Sequence, residues 1–323
     1  MQMAIPPAVV SAARQGWHWQ WLQLMGGLGP ADAEGNYTRP ASPFDVKPPL
    51  PATAEQEGGH VLIVGRSCPW AHRAWLVWQL RQLQSRIRLL IVEPDPAAGR
   101  WRFSEPFLGC STLQELYRRA GAPPQQRATV PVLVEPASGR VVVGESARLM
   151  ELLNDWPGGD GAPDLEPEAL RPAIQSWREQ LQHAVNDGVY RCGFARNQAA
   201  YNRAEAALFT ALEATEAALA APGGGPWLCG EALTLADVQL FPTLIRLELV
   251  YGPLFGVSRQ PLWQLPALWR WRQRFFALPG VAASCCDQAW REDYFGALFP
   301  LHPSGIVPAG PPLATLMQAP LQP

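Results

Sequence analysis

Short apolar runs alternate with helical periodicity in the first half of the chain. Residues 61–64 are all apolar and predict a buried strand, and a second strand is expected over 87–92. After a long loop of residues 95–128, the apolar runs 130–134 and 141–143 are typical of an antiparallel pair. These runs predict a sheet whose members are joined by connections of different lengths.

Two helices complete this pattern. One follows the first strand, because apolar residues recur there at helical spacing and would form one buried face: Ala71, Ala74, Trp75 and Trp78. The other begins at Glu145 and Ser146 and runs through Leu152. The resulting order, βαβ and then ββα, is that of a thioredoxin-like domain.

The second half of the chain has helical patterns only. After the breaker Trp156-Pro157-Gly158-Gly159, one amphipathic stripe consists of Tyr201, Ala204, Leu208, Ala211, Leu212, Thr215 and Leu219. A further helix opens at Thr234, where Asp237 can return the capping hydrogen bond and Pro242 is expected to bend the helix. The fold class predicted is therefore an α/β thioredoxin-like domain followed by an all-α domain.

Four segments follow from these patterns. We expect an N-terminal extension over 1–57, the thioredoxin-like domain over 58–157, the all-helical domain over 158–299 and a C-terminal tail over 300–323. The extension is proline-rich and lacks a periodic pattern, but its tryptophans argue against a free tail: Trp17, Trp19 and Trp21. We expect it to lie over the folded body.

Cys68 lies where the first predicted helix begins, with Pro69 suited to the first helical position. Free backbone N–H groups and the helix dipole favour a thiolate there, so we expect the pKa of Cys68 to be lowered. Ala71 stands where a thioredoxin-type motif has its second cysteine, so a mixed disulfide on Cys68 needs an external thiol such as glutathione. An ordinary buried cysteine is the alternative.

Charge and composition argue against nucleic acid and membranes as partners of this protein. The formal charge of −2 gives no attraction to nucleic acid or to an anionic membrane. No apolar run reaches the roughly 18 residues of a membrane span, and the N-terminus lacks the pattern of an export signal. The six cysteines match no zinc spacing or disulfide framework, which favours reduced thiols and a cytoplasmic location.

Several motifs resemble the glutathione transferase superfamily, and more narrowly its omega-like Xi class, the glutathionyl-hydroquinone reductases. They are Cys68-Pro69-Trp70-Ala71-His72-Arg73, Trp101-Arg102-Phe103, Thr129-Val130-Pro131-Val132-Leu133, Gly188-Val189-Tyr190-Arg191-Cys192-Gly193-Phe194-Ala195 and His302-Pro303-Ser304-Gly305-Ile306-Val307-Pro308. Two positions depart from the family pattern: Cys192 stands where alanine is expected, and Phe295 where a second tyrosine is common.

The resemblance implies a site for glutathione as co-substrate, with no metal and no nucleotide, in a homodimer. Its glutathione-binding residues would be Trp101, the backbone of Val130, Glu145 and Ser146. Arg127 is a further candidate, for the glycine carboxylate, although such an arginine is more often a solvated surface charge. At the start of a helix, Glu145 and Ser146 suit the ammonium and the carboxylate of the γ-glutamyl group, although they also suit a simple helix cap. In a thioredoxin-like fold we also expect a cis peptide before Pro131, and because no further metal ligands cluster near His72 in the sequence, we expect a structural role for it.

Tyr190 and Tyr294 correspond to the tyrosines that contact the quinol oxygen in this family, whereas a tyrosine in a helical domain, taken alone, more often belongs to the core. The implied activity is reduction of glutathionyl-hydroquinones through a mixed disulfide between Cys68 and glutathione. Two alternatives stay open. One is an omega-like thioltransferase or dehydroascorbate reductase, and the other is a binding module without enzymatic activity.

Overall fold

A computed structural model describes residues 5–50, 59–95, 100–298 and 301–318 of the 323-residue chain. The predicted segment boundaries at 57/58 and 299/300 lie outside these residues. Within the described ranges, no helix combines the length and the apolar character that crossing a lipid bilayer requires.

Six strands of the described residues form one mixed sheet in the order β4-β3-β2-β1-β5-β6. Their bounds are β1 His60–Gly65, β2 Ile87–Asp95, β3 Arg100–Phe107, β4 Cys110–Thr112, β5 Val132–Glu135 and β6 Arg140–Val143. β1 pairs in parallel with β2 and antiparallel with β5. Every residue of β1 is buried, as its continuous apolar run predicts for a central strand.

The α-helices divide between the two halves of the chain. Those before residue 157 are α1 Pro7–Leu28, α2 Pro69–Leu80, α3 Leu113–Arg119 and α4 Ser146–Asp155. Those that follow are α5 Arg171–Leu181, α6 Gly188–Gly193, α7 Gln198–Ala220, α8 Leu235–Leu244, α9 Gly252–Phe255, α10 Pro266–Phe276, α11 Val281–Ser284, α12 Asp287–Ala297 and α13 Leu313–Gln318. The fold class is thus confirmed: a thioredoxin-like part followed by an all-helical part.

The long loop predicted over 95–128 is wrong. β2 continues to Asp95, and its last residues pair with β3, so that Pro94 lies opposite Trp101. Strand β4 and helix α3 follow within the same stretch. The helix has a local signal that could have been found in the sequence, because Thr112 and Glu115 form a reciprocal capping box at its start.

The N-terminal extension contains one element that the sequence analysis did not predict, the 22-residue helix α1. Among its residues only Met25 is buried, whereas Trp17 and Trp19 remain exposed. The segment after α1 does lie over the folded body: the carbonyl of Phe44 accepts hydrogen bonds from the N–H groups of Gly144 (2.9 Å) and Glu145 (3.3 Å). It thereby covers the start of α4.

Helix α2 packs against α4 in the thioredoxin-like part and against α8 in the helical part. Thr234 caps helix α8 as predicted, and the Asp237 carboxylate accepts hydrogen bonds at 3.0 Å from both the N–H and the hydroxyl of Thr234. Pro242 lies inside α8, and a π-helical turn at Leu247–Tyr251 follows. Because α2 packs against both α4 and α8, it lies at the junction of the two parts.

Candidate functional site

Cys68 caps the N-terminus of α2, directly after β1. Its thiol accepts a hydrogen bond from the backbone N–H of Ala71 at 3.5 Å and donates one to the carbonyl of Val130 at 3.4 Å. The peptide bond between Val130 and Pro131 is cis, as predicted. The sulfur is therefore held between a helix N-terminus and the loop that precedes β5.

The expectation of a lowered pKa for Cys68 is wrong. Burial raises the pKa of this thiol above its ordinary value, because the thiolate loses its hydration. The N–H groups of Ala71 and Trp70 and the charges of Arg246 and Arg39 act in the opposite direction, but they do not overcome desolvation. The helix N-terminus is present as predicted, but the sequence did not reveal how strongly the fold removes water from the thiol.

A cavity of about 320 Å³ opens beside Cys68 at the junction of the two parts. The structure brings all eight predicted site residues to its lining: Cys68, Trp101, Arg127, Val130, Glu145, Ser146, Tyr190 and Tyr294. Its volume lies in the range of small-molecule sites. Residues from three regions, the extension, the sheet and the helices, thus surround one space.

Glu145 and Ser146 occupy the N-terminus of α4, as predicted. The Glu145 carboxylate accepts from the N–H of Ala147 at 3.5 Å and from the hydroxyl of Ser146 at 3.2 Å. It also forms an ion pair with Arg39 of the extension, whose Nη2 lies 3.2 Å from Oε1. Sequence reasoning missed Arg39, since nothing in the pattern around it marks a site.

Trp101 of β3 and Arg127, from the segment between α3 and β5, also line the cavity. The ring of Trp101 lies against Gly65 so closely that a Cβ at this position would approach the ring to 2.6 Å. Only glycine therefore permits this contact. Arg127 donates from Nη1 to the carbonyl of Leu28 at 3.2 Å, so it also fixes the end of α1.

Three tyrosine hydroxyls meet at the helical side of the cavity, and two of these residues, Tyr190 and Tyr294, line it. Those of Tyr190 and Tyr294 are 2.5 Å apart, and that of Tyr251 lies 3.4 Å from Tyr294. Burial raises the pKa of Tyr190 and of Tyr294 well above the ordinary value. Both hydroxyls therefore stay protonated at neutral pH and can donate hydrogen bonds. Tyr251 was not among the predicted site residues, because its helical turn looks like an ordinary core segment.

His72 lies behind the site, between helices. Its Nε2 is 2.8 Å from Oγ of Ser284 and its Nδ1 is 3.0 Å from Nη1 of Arg246. Burial lowers the pKa of His72 well below its ordinary value, and the charge of Arg246 adds to this effect. Among the residues that the structure describes, no cluster of three or more metal-binding side chains occurs.

Comparison with known proteins relates these features to two domain families. The models for "Glutathione S-transferase, N-terminal domain" and "Glutathione S-transferase, C-terminal domain" match residues 67–156 and 198–274. Glutathionyl-hydroquinone reductase PcpF of Sphingobium chlorophenolicum is 31% identical over 79% of this chain and 84% of its own length. Glutathionyl-hydroquinone reductase YqjG of Escherichia coli is 30% identical over 91% of this chain and 93% of its own.

Solved structures of glutathione transferases are also similar to this chain. The glutathione-bound structure of YqjG matches with a TM-score of 0.73 and 29% identity, over 87% of this chain and 91% of its own. The glutathione transferase Xi of Phanerochaete chrysosporium matches with a TM-score of 0.80 and 29% identity, over 87% of this chain and 94% of its own.

Proposed function

Because this chain belongs to the glutathione transferase superfamily and, within it, to the Xi-class glutathionyl-hydroquinone reductase family, we propose that it reduces glutathionyl-hydroquinones to hydroquinones with Cys68 as nucleophile. A glutathione-dependent reductase or transferase activity follows from the family. The identity of the substrate and the mechanism are the proposal.

In the first half-reaction, the Cys68 thiolate attacks the sulfur of the glutathionyl group. A disulfide forms between Cys68 and glutathione, while the bond between sulfur and the ring carbon breaks. The electron pair of that bond stays on the ring carbon, which takes up a proton and gives the hydroquinone. Cys68 is oxidised to the disulfide level and the quinol carbon is reduced.

In the second half-reaction, a glutathione thiolate attacks the mixed disulfide. Oxidised glutathione leaves and the Cys68 thiolate is restored, so the proton released by glutathione balances the one taken up by the ring. Ala71 stands where an internal resolving cysteine would be, which supports the need for an external thiol. The whole reaction consumes one glutathione for each glutathionyl-hydroquinone.

Different residues serve the two parts of the substrate. We assign the glutathionyl group to Trp101, Val130, Glu145 and Ser146, and its glycine carboxylate to Arg127. We assign the ring oxygen to the hydroxyls of Tyr190 and Tyr294. Because both stay protonated, each has one proton to donate, and the hydrogen bond between the two hydroxyls can be exchanged for bonds to that oxygen while the ring accepts its proton.

The observation that carries this proposal is the pair of adjacent tyrosine hydroxyls on the wall that shares the cavity with Cys68. A thioltransferase needs the thiol and a place for glutathione, but it needs no donors for a ring oxygen. The hydroxyl pair therefore favours a quinol substrate over the thioltransferase or dehydroascorbate reductase alternative.

The deciding experiment compares turnover of glutathionyl-menadiol with turnover of dehydroascorbate, both with glutathione as reductant. We expect the quinol thioether to be consumed with a higher kcat/KM and to release oxidised glutathione in equal amount. Mass spectrometry after brief exposure to oxidised glutathione should find the adduct on Cys68. A preference for dehydroascorbate would overturn the proposal in favour of the alternative.

A further inference from the structure

Arg39 reaches the cavity from the N-terminal extension and contacts both parts of the fold. Its Nη2 lies 3.2 Å and 3.3 Å from the two carboxylate oxygens of Glu145, in the thioredoxin-like part. Its Nη1 lies 3.8 Å from Oδ1 of Asp187, in the helical part. Its guanidinium also stacks on the ring of Trp70, with Cζ at 3.8 Å from the ring centroid.

This geometry leaves hydrogen-bonding capacity on the cavity side. The hydrogen bonds found for Arg39 in the described part of the chain both start from Nη2, and the distance from Nη1 to Asp187 is too long for a further one. Oε2 of Glu145 accepts from Arg39 only, among the same residues, whereas Oε1 also binds Ser146 and Ala147. Both members of the ion pair can therefore take another charged partner.

We propose that Arg39 and Glu145 together recognise the α-amino acid end of the γ-glutamyl group, with Arg39 binding its carboxylate and Glu145 its ammonium. The inference rests on the proposed function for the presence of a glutathionyl group, and it adds a residue outside the thioredoxin-like domain to the site. An ion pair presents adjacent positive and negative charge, which matches the adjacent carboxylate and ammonium of an amino acid. The planar guanidinium also suits two-point contact with a carboxylate.

The same contacts would equally hold the extension in place, and this structural role predicts a different outcome. If Arg39 only fixes the extension, its loss should weaken every ligand of the cavity to the same degree. If it binds the α-carboxylate, its loss should weaken only ligands that possess this group. The two roles are therefore separated by a ligand pair that differs in the carboxylate alone.

The experiment measures binding to the reduced protein by titration calorimetry, using glutathione and its decarboxylated analogue 4-aminobutyryl-cysteinylglycine. In the wild type, glutathione should bind more tightly than the analogue. Arg39→Gln should reduce this preference by about tenfold, because a charge-assisted hydrogen bond to the carboxylate is lost. Affinity for the analogue should change little. Arg39→Lys keeps the charge without the planar fork, and should restore part of the preference.

Arg203→Gln is the matched control. Arg203 donates from Nη2 to Oδ1 of Asn36 at 2.8 Å, so it holds the same segment of the extension without lining the cavity. It should leave the preference for glutathione unchanged. Equal weakening of both ligands by Arg39→Gln, with a lower Tm, would overturn the inference. Because the readout is binding, this failure is distinct from a failure to reduce glutathionyl-hydroquinones.

Discussion

The cavity has two walls, one from the thioredoxin-like part and one from the helical part, and they offer different kinds of polar group. On the side of the thioredoxin-like part, the polar groups are backbone atoms and side chains at the ends of regular elements: Cys68 caps α2, Val130 precedes β5, and Glu145 caps α4. On the helical side, the polar residues of the lining are Tyr190, Tyr294 and Asp293, and the two tyrosines belong to an aromatic cluster with Tyr251, which does not itself line the cavity.

This difference corresponds to the two tasks that we propose for the site, binding of the glutathionyl group and binding of the quinol ring. Element ends offer donors and acceptors whose positions depend on the fold, so the first wall can bind an extended peptide without many specialised side chains. The second wall depends on individual polar side chains, which lie among apolar residues such as Phe194, Ala297 and Leu298. A single oxygen should thus matter more for the quinol than any single backbone contact matters for glutathione.

The largest expected effect is that of Cys68→Ser. A serine hydroxyl is not ionised at neutral pH and does not attack sulfur, so turnover of glutathionyl-hydroquinones should fall by at least about a thousandfold. Steady-state release of oxidised glutathione measures this. Cys286→Ser is the matched control, since Cys286 does not line the cavity, and it should keep wild-type turnover. Substantial activity in Cys68→Ser would mean that another group is the nucleophile.

The next largest effect tests the helical wall. Tyr190→Phe and Tyr294→Phe each remove a hydroxyl that we propose as a donor to the ring oxygen, which should lower quinol turnover on the order of 10²-fold. Disulfide exchange with a small glutathione mixed disulfide, which has no ring oxygen, should stay near the wild-type rate. If both activities fell together and followed a lower Tm, these tyrosines would be structural, and the thioltransferase alternative would gain support.

The first wall could largely be predicted from the sequence because its signals are local. The strand over 61–64, the helix beginning at Pro69 and the helix beginning at Ser146 each have their own apolar pattern and N-terminal signal. Even so, the pKa of Cys68 was predicted in the wrong direction. Local sequence shows the helix N-terminus, whereas the burial that outweighs it is a property of the folded chain.

The second wall could not be derived from patterns, and only the family resemblance pointed to it. Tyr190 and Tyr294 are 104 residues apart, and each sits in a segment typical of a helical core. Arg39 illustrates the same limit in the extension, where no periodicity predicts that a particular arginine will reach Glu145. Contacts between distant segments depend on tertiary packing, which a single sequence does not reveal.

A smaller effect concerns pH and tests which influence controls the thiol. Since burial raises the pKa of Cys68, the neutral thiol is favoured at pH 7 and the thiolate fraction grows as the pH increases. Alkylation of Cys68 by iodoacetamide should therefore accelerate about tenfold per pH unit between pH 6 and pH 8. Mass spectrometry of the peptide containing Cys68 measures the rate. A plateau within that interval would show that the helix N-terminus and the nearby arginines overcome desolvation.

The smallest expected effect tests how much a single contact contributes on the first wall, to which we assign the glutathionyl group. The hydroxyl of Tyr117 donates to the carbonyl of Thr129 at 2.6 Å and supports the loop that leads to Val130. Tyr117→Phe should lower the free energy of unfolding by about 1 kcal/mol and raise the KM for glutathione only about threefold, with kcat unchanged, because the neighbouring backbone contacts remain.

Tyr201→Phe provides a control of the same chemistry, since the hydroxyl of Tyr201 donates to the carbonyl of Gly256 at 2.6 Å and does not line the cavity. It should lower stability by a similar amount, measured by urea denaturation, without any change in KM. If Tyr117→Phe instead reduced turnover as strongly as Tyr190→Phe does, the two walls would not differ in the way proposed. Glutathione binding would then depend on single side-chain contacts just as the quinol chemistry does.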